Sequence, residues 1–243
     1  MTHEALLTQF FNHYLAGFGN SLLTLLGQKT SEEPWADHIV MQLLVAVIMI
    51  VLFLMLRASL SVDKPGKLQS IFELIHGFIV EQADDQVGHH EGRHHVVIFE
   101  TLFIFILVAN LIGIIPGFVS PTQAVYVPAG CAILAFLYYN IVGLKKNGVW
   151  KYTKHFFGPI PVMAPLMLPI EIISHLARPL SLTIRLFANM YAGEKVTLVF
   201  LSLTYLIMPA VFMGLHFFVA VLQAYIFVLL TMIYVAGAVA EEH

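Results

Sequence analysis

The chain has 243 residues, 59% of them hydrophobic and 11% charged, with a formal net charge of −3 and a mean hydropathy of +0.84. That balance excludes a soluble globular domain and points to a polytopic membrane protein with room for five or six bilayer-length helices. The lone Cys131 excludes an intramolecular disulfide framework and a cysteine zinc site, and no basic patch interleaved with aromatics suggests nucleic acid.

In chain order, residues 1–37 read as an external segment. Phe10, Phe11, Tyr14, Leu15, Phe18 and Leu22 mark a helix lying at a surface, and the acidic Glu32, Glu33 and Asp37 follow. No basic residue precedes Lys29, so no cleaved signal is expected. The first span is 38–57, charge-free from 39 to 56 with Gln42 its one strongly polar member, and it ends at Arg57, Lys64 and Lys67. Residues 65–87 place Leu68, Ile71, Phe72, Ile75, Phe78 and Ile79 on one face, the pattern of an interfacial amphipathic helix.

The run DDQVGHHEGRHH carries His89, His90, His94 and His95. Its reading as a solvated loop is preferred to a metal site, because adjacent imidazoles turn poorly toward one ion and no cysteine is near. Residues 96–144 form a helical hairpin. Its first span contains Glu100 and Asn110 and is stopped by Pro116, Gly117 and Pro121; in its second, from 124, Pro128 makes a kink or a first turn. The remainder, 160–243, enters through the proline-rich 158–169 and forms two long apolar helices, the second from about 212 to 240, with Pro209 near their turn.

The expected fold is thus all-α and polytopic, a single membrane domain of three spanning helices, an interfacial amphipathic helix and a long C-terminal membrane-embedded helical hairpin. Eight of the twelve Lys and Arg residues, namely Arg57, Lys64, Lys67, Arg93, Lys145, Lys146, Lys151 and Lys154, fall on one side of this arrangement. By the positive-inside rule that side is the cytoplasm, which puts the N-terminus outside and the C-terminus in the cytoplasm.

The chemistry concentrates in 171–194, EIISHLARPLSLTIRLFANMYAGE. An ionised residue in mid-membrane costs about 3 kcal/mol on insertion scales, so two arginines and two glutamates here need a reason. At about 100° per residue, Glu171, His175, Arg178, Leu182, Arg185 and Asn189 share one stripe, while Glu194 lies roughly opposite Arg185 and about 13 Å along the axis. In an antiparallel hairpin, residues at equal depth have nearly constant summed numbers. Arg185 with Gln223 and Glu194 with His216 meet that condition, in depth though not necessarily in face. Glu171, Ser174 and His175 make a third, cytoplasmic layer.

Glu and His exchange protons near neutral pH once their surroundings shift them, whereas Arg stays protonated and cannot relay. The layers therefore read as a proton path interrupted at Arg185, which can still attract a carboxylate brought by a partner. Arg178 is expected to reach toward the cytoplasmic interface as a structural or lipid-facing, snorkelling residue, Tyr191, Tyr225 and Tyr234 to serve as packing or interface aromatics, and Asn110 and Gln42 to hydrogen-bond between helices. The alternative is a proton- or cation-coupled secondary transporter, which predicts an inverted repeat or paired broken helices; no repeat is visible. The sequence has no H-E-x-x-H protease motif and no G-x-x-x-x-G-K-[ST] loop, so no nucleotide is expected on this chain.

ARPLSLTIRLFANMYAGE closely resembles the signature of the a subunit of the membrane sector of bacterial F-type ATP synthases. NLIGIIPGFVSPT, LQAYIF around Gln223, PGKLQSIFEL and the terminal EEH resemble their bacterial counterparts in the same order, over nearly the whole chain. The resemblance implies a non-catalytic, proton-translocating stator subunit of the inner membrane that lies beside the rotating c-ring and has peripheral-stalk b subunits and the lipid bilayer as partners. It implies that Arg185 is the essential arginine and Asn189 and Gln223 are its polar neighbours. Glu194 and His216 would belong to an outer half-channel, and Glu171, Ser174 and His175 to a cytoplasmic one. No cofactor or metal is implied. Tyr126, Val127 and Pro128 depart from the family pattern, and no site is carried over there.

Overall fold

A computed structural model describes residues 6–239 apart from 26, 28, 32, 63, 90, 116, 117, 156–163 and 204–206. The regular structure of the described residues is entirely helical: α1 (Leu6–Tyr14), α2 (Ala16–Leu25), α3 (Asp37–Ser59), α4 (Lys67–Val87), α5 (Gly92–Ile112), a 3-10 turn (Pro121–Gln123), α6 (Tyr126–His155), α7 (Ala164–Leu203) and α8 (Ile207–Val239). Among the described residues four helices are long and apolar enough to cross a membrane: α3, α5, α6 as far as Gly148, and α8 from Ala210. The chain is a multi-pass, all-α membrane protein. α7 is long enough too, but it carries Glu171, Arg178, Arg185, Glu194 and Lys195.

α8 is the centre of the bundle and packs against α4, α5, α6 and α7. Its buried residues Ala220, Ala224, Phe227, Val228, Met232 and Val235 recur at three- and four-residue steps, the stripe that a helix needs on its packed side. Leu182, Leu186 and Met190 do the same on α7, and Phe99, Phe103 and Ile106 on α5. At 40 and 33 residues, α7 and α8 are about 60 and 50 Å long. That is too long to stand upright in an apolar core of about 30 Å.

A buried polar tie closes the bundle at the end where α5 stops. Asn110 Nδ2 donates to the Ala220 carbonyl at 3.1 Å, and Asn110 Oδ1 accepts from the Thr122 hydroxyl at 2.7 Å. Ser120 Oγ donates to the Ala109 carbonyl at 2.8 Å. This joins α5, the 3-10 turn and α8, so Asn110 bonds between elements. Gln42 does not: it is exposed and has no hydrogen bond among the described residues, because α3 meets the bundle through Val40, Met41 and Val45 instead.

Several expected boundaries move. The N-terminal helix breaks at Leu15, whose carbonyl is drawn to the Trp35 indole Nε1 at 2.9 Å while the Asn12 amide brackets the Trp35 backbone. α5 begins at Gly92 rather than 96 and ends at Ile112; Pro116 and Gly117 lie outside the described residues. His94 and His95 therefore belong to a helix, and the loop shrinks to 88–91. His95 Nδ1 lies 2.7 Å from the Tyr138 hydroxyl and His89 Nδ1 3.2 Å from Asp84 Oδ2. Among the described residues no group of three or more His, Cys, Asp or Glu is arranged to hold a metal; His90 lies outside them. Lys146 Nζ donates to Glu91 Oε1 at 2.8 Å, which holds the Glu91 carboxyl below its ordinary range.

Pro128 sits in the first turn of α6, where its missing N–H costs nothing. α6 runs past 144 to His155 by turning at Gly148, whose φ of 73° lies in the left-handed region open to glycine. α7 begins before Pro169 and continues through it and Pro179, and Pro209 lies in the first turn of α8. The terminal EEH lies outside the described residues.

Candidate functional site

The polar residues of α7 divide between two neighbours, because one helix stripe faces α6 near its start and α8 further along. At the first end His175 Nε2 donates to Asn140 Oδ1 at 2.9 Å, with the Tyr139 hydroxyl 3.4 Å away. The imidazole is wedged edge-on between the rings of Phe136 and Tyr139. One turn on, the Arg178 guanidinium lies 5.8 Å from the Tyr139 ring centre and 5.2 Å from that of Tyr234. Arg178 is therefore held between aromatic faces of α6 and α8 instead of snorkelling. Glu171 is half-buried and Ser174 exposed. Asn140 and Tyr139 have no part in the sequence reading. The available signal was a polar residue, Asn140, inside an apolar span.

In the middle, Asn189 Nδ2 donates to Gln223 Oε1 at 2.8 Å, a side-chain bond across the α7–α8 pair. Gln223 thus bonds one turn beyond its depth partner Arg185, because summed numbers give depth but not the face on which a side chain stands. Gln223 Nε2 is buried with no protein partner. Arg185 is half-buried, and its one side-chain hydrogen bond among the described residues is a long 3.5 Å contact from Nη2 to the Ser181 hydroxyl. A guanidinium has five N–H donors, so most of its capacity is open. On its own face of α7 the exposed neighbours are the small Ser181, Ala188 and Ala192, with Asn189.

At the other end, Glu194 and His216 line one cavity of about 150 Å³ together with Gly113, Phe118, Thr197 and Met213. The two side chains make no ion pair within 4 Å. Gly193 sets the approach: a Cβ there would stand 2.9 Å from His216 Nδ1, so any side chain would push the imidazole away. Glu194 Oε2 and His216 Nε2 are buried without a protein partner. Native proteins rarely leave such atoms unpaired. Seven buried side-chain polar atoms among the described residues do so, and three of the seven belong to Glu194, His216 and Gln223. A cavity of this size, with the Glu194 and His216 atoms set in an otherwise mostly apolar wall, is roomy enough for water.

Tyr191, Tyr225 and Tyr234 pack as expected, against Phe187, Phe78 and Tyr139. The Tyr225 hydroxyl also donates to Gln82 Oε1 at 2.9 Å, tying α8 to α4. A polar pair on α4 and α5, His76 with Glu100, is absent from the sequence reading, since only the crossing of the two helices brings it together.

A family model described as "ATP synthase A chain" matches residues 39–236. A protein named ATP synthase subunit a from Solibacter usitatus is 64% identical over 96% of this chain and all of its own length. Relatives of the same name from Koribacter versatilis and Geotalea daltonii are 45% and 41% identical, each over the full length of both chains.

Proposed function

Because the chain belongs to the ATP synthase A chain family, as a membrane-sector subunit of a bacterial F-type ATP synthase, we propose that it is the stator that loads and unloads protons on a ring of partner carboxylates. Two offset half-channels serve the ring, and Arg185 stands between them. The observation that carries this reading is the cavity holding Glu194 and His216 with their unpartnered atoms, separated from the His175 layer by Arg185. Along α7, Arg185 is about 13 Å from Glu194 and about 15 Å from His175. A continuous relay would leak the gradient, and an arginine, always protonated, interrupts it.

In this mechanism a proton enters past Glu194 and His216 and neutralises a c-ring carboxylate, which then travels through lipid. When the ring brings a carboxyl round to Arg185, the open N–H donors favour its ionised form and the proton leaves by the layer of Glu171, Ser174 and His175. The small exposed Ser181, Ala188 and Ala192 on the face of Arg185 leave room for a ring helix to approach it, which supports a ring packed there. The Asn189–Gln223 bond holds α7 and α8 in register behind it. Each charge crossing supplies about 2.3 kcal/mol per 100 mV, so one nucleotide needs several. The chain is a non-catalytic part of that machine. The clustering of Lys and Arg supports an external N-terminus and a cytoplasmic C-terminus in the inner membrane, and the exposed length of α3 supports contact with peripheral-stalk helices.

The test is proton flux in vesicles holding the assembled complex, comparing Arg185→Ala and the neighbouring Ser181→Ala with the unaltered chain. The expected result is loss of ATP-driven pumping in Arg185→Ala alone, with passive leak kept or raised. Pumping that survives Arg185→Ala in a fully assembled complex would overturn the reading and leave the arginine a structural tie.

A further inference from the structure

A second cavity, of about 320 Å³, lies between α3, α4 and α5, and no residue of α7 or α8 lines it. It exists because α3 is buried only near its start, at Val40, Met41 and Val45, and leaves room along its far half. Phe53 and Leu56 form the α3 wall at helical spacing, and Leu60 follows just past the end of the helix. Phe72 and Ile75 on α4 and Val97 and Ile104 on α5 complete an apolar surface. Val97 and Leu60, 75% and 62% exposed, stand at the mouth.

Five polar side chains interrupt that surface: Gln69, Glu73, His76, Glu100 and Thr101. Gln69 is committed. Its Oε1 accepts from the Ser61 N–H at 3.0 Å, while Nε2 donates to the Ser61 carbonyl at 3.0 Å and to Glu73 Oε1 at 2.8 Å. The Thr101 hydroxyl donates back to the Val97 carbonyl at 2.7 Å. His76 Nδ1 is paired with Glu100 Oε1. What remains for a ligand is the second oxygen of each carboxylate, neither of which has a hydrogen bond among the described residues. Two carboxylates against one imidazole make the cavity acceptor-rich. Arg57, Lys64 and Lys67 are exposed at the same end of the bundle but do not line it.

The geometry points to a binding site for a phospholipid with a primary ammonium headgroup, the ethanolamine class. The ammonium meets the Glu73 and Glu100 carboxylates, and an acyl chain lies along Phe53, Phe72 and Ile104. An ammonium brings three N–H donors and one charge, which match two carboxylates in a half-apolar site. The headgroup phosphate then falls toward the basic residues at the rim, the arrangement that charge at a bilayer surface favours. A choline headgroup has no N–H to give, and a glycerol headgroup has no positive charge. A partner's apolar helix would bury the second oxygen of each carboxylate without a donor, which is costly.

The experiment uses the assembled synthase in mixed micelles with a phosphatidylethanolamine carrying a photoactivatable group on its acyl chain, followed by peptide mapping. Adducts are expected in 69–76 and 97–104. Excess unlabelled phosphatidylethanolamine should compete them down about tenfold better than phosphatidylcholine or phosphatidylglycerol of the same chains. Glu73→Gln with Glu100→Gln should lose about tenfold of the labelling while ATP-driven pumping, which reports assembly, is retained. Three results would overturn the proposal: equal competition by all three lipids, labelling spread evenly along the lipid face of α3, or labelling unchanged in the double variant. The competition series uses the unaltered complex, so it decides the matter even if the double variant fails to assemble. Protection of these peptides by a partner subunit, with no lipid adduct, would assign the cavity to a helix and also refute it.

Discussion

Around His175 and Arg178 the side chains of α6, α7 and α8 answer one another's polar groups, whereas around Glu194 and His216 they do not. The first end has a hydrogen bond from His175 to Asn140 and a guanidinium between two aromatic rings. The second has two buried atoms, Glu194 Oε2 and His216 Nε2, facing a cavity. Both ends belong to one helix with a continuous apolar stripe, so the contrast does not come from helix formation. It comes from what the neighbours supply. α6 brings Asn140 and Tyr139 to one end, while α8 and the segment after α5 bring Gly113, Met213 and a void to the other. A satisfied polar cluster fixes the side chains it contains, here His175 of the proposed exit layer, and an unsatisfied one beside a void leaves its polar atoms open to water.

Substitutions that remove the unsatisfied pair should have the largest effect. Glu194→Gln keeps the shape but cannot ionise, and ATP-driven proton pumping is expected to fall at least about tenfold with normal assembly. Pumping within twofold of the unaltered complex would erase the distinction between the two ends. Gly193→Ala sharpens it further, since the new Cβ falls 2.9 Å from His216 Nδ1 and must displace the ring. A loss of roughly threefold to tenfold is expected, partly recovered when His216 is shortened to Asn.

The satisfied end should respond through stability. Asn140→Leu strands the His175 N–H, and a loss of about 1–3 kcal/mol is expected. It would be read as earlier thermal dissociation of the subunit from the purified complex, with pumping by the intact fraction little changed. A large pumping defect at unchanged stability would move Asn140 into the proton path.

The smallest effect belongs to the contact between Glu91, which precedes α5, and Lys146, near the end of the α6 span. Its hydrogen bond lowers the folded-state pKa of Glu91 from the ordinary 4.5, so its stabilisation is fully present above that pH and lost as pH falls through the depressed value. Because both partners are partly exposed to solvent, Glu91→Gln should lower the melting temperature by roughly 1 °C at neutral pH. The two proteins should converge below pH 4.5, and a difference that grows on acidification would contradict the assignment.

The helices, the embedded charges and the two depth-matched pairs were legible in the sequence, because hydrophobic period and hairpin arithmetic are local or nearly so. Glu194 and His216 do line one cavity, as equal depth allows. Arg185 and Gln223, matched as well in depth, are not bonded, and Gln223 turns to Asn189. Rotation about each helix axis, which that arithmetic omits, makes the difference. Which of a structural or a lipid-facing role Arg178 has was open in the sequence for a related reason, since the aromatic faces that hold it come from α6 and α8, 39 residues before it and 56 after it.

The sequence by itself determined that the chain lies in a membrane, that it is built of helices, and which residues carry charge into an apolar solvent, since each follows from composition and a fixed helical period. Only the tertiary structure decided which of those charges are satisfied. Whether a buried polar atom finds a partner depends on helices far apart in sequence meeting at one place. That is true of Asn140 beside His175, of the open space beside Glu194, and of His76 beside Glu100.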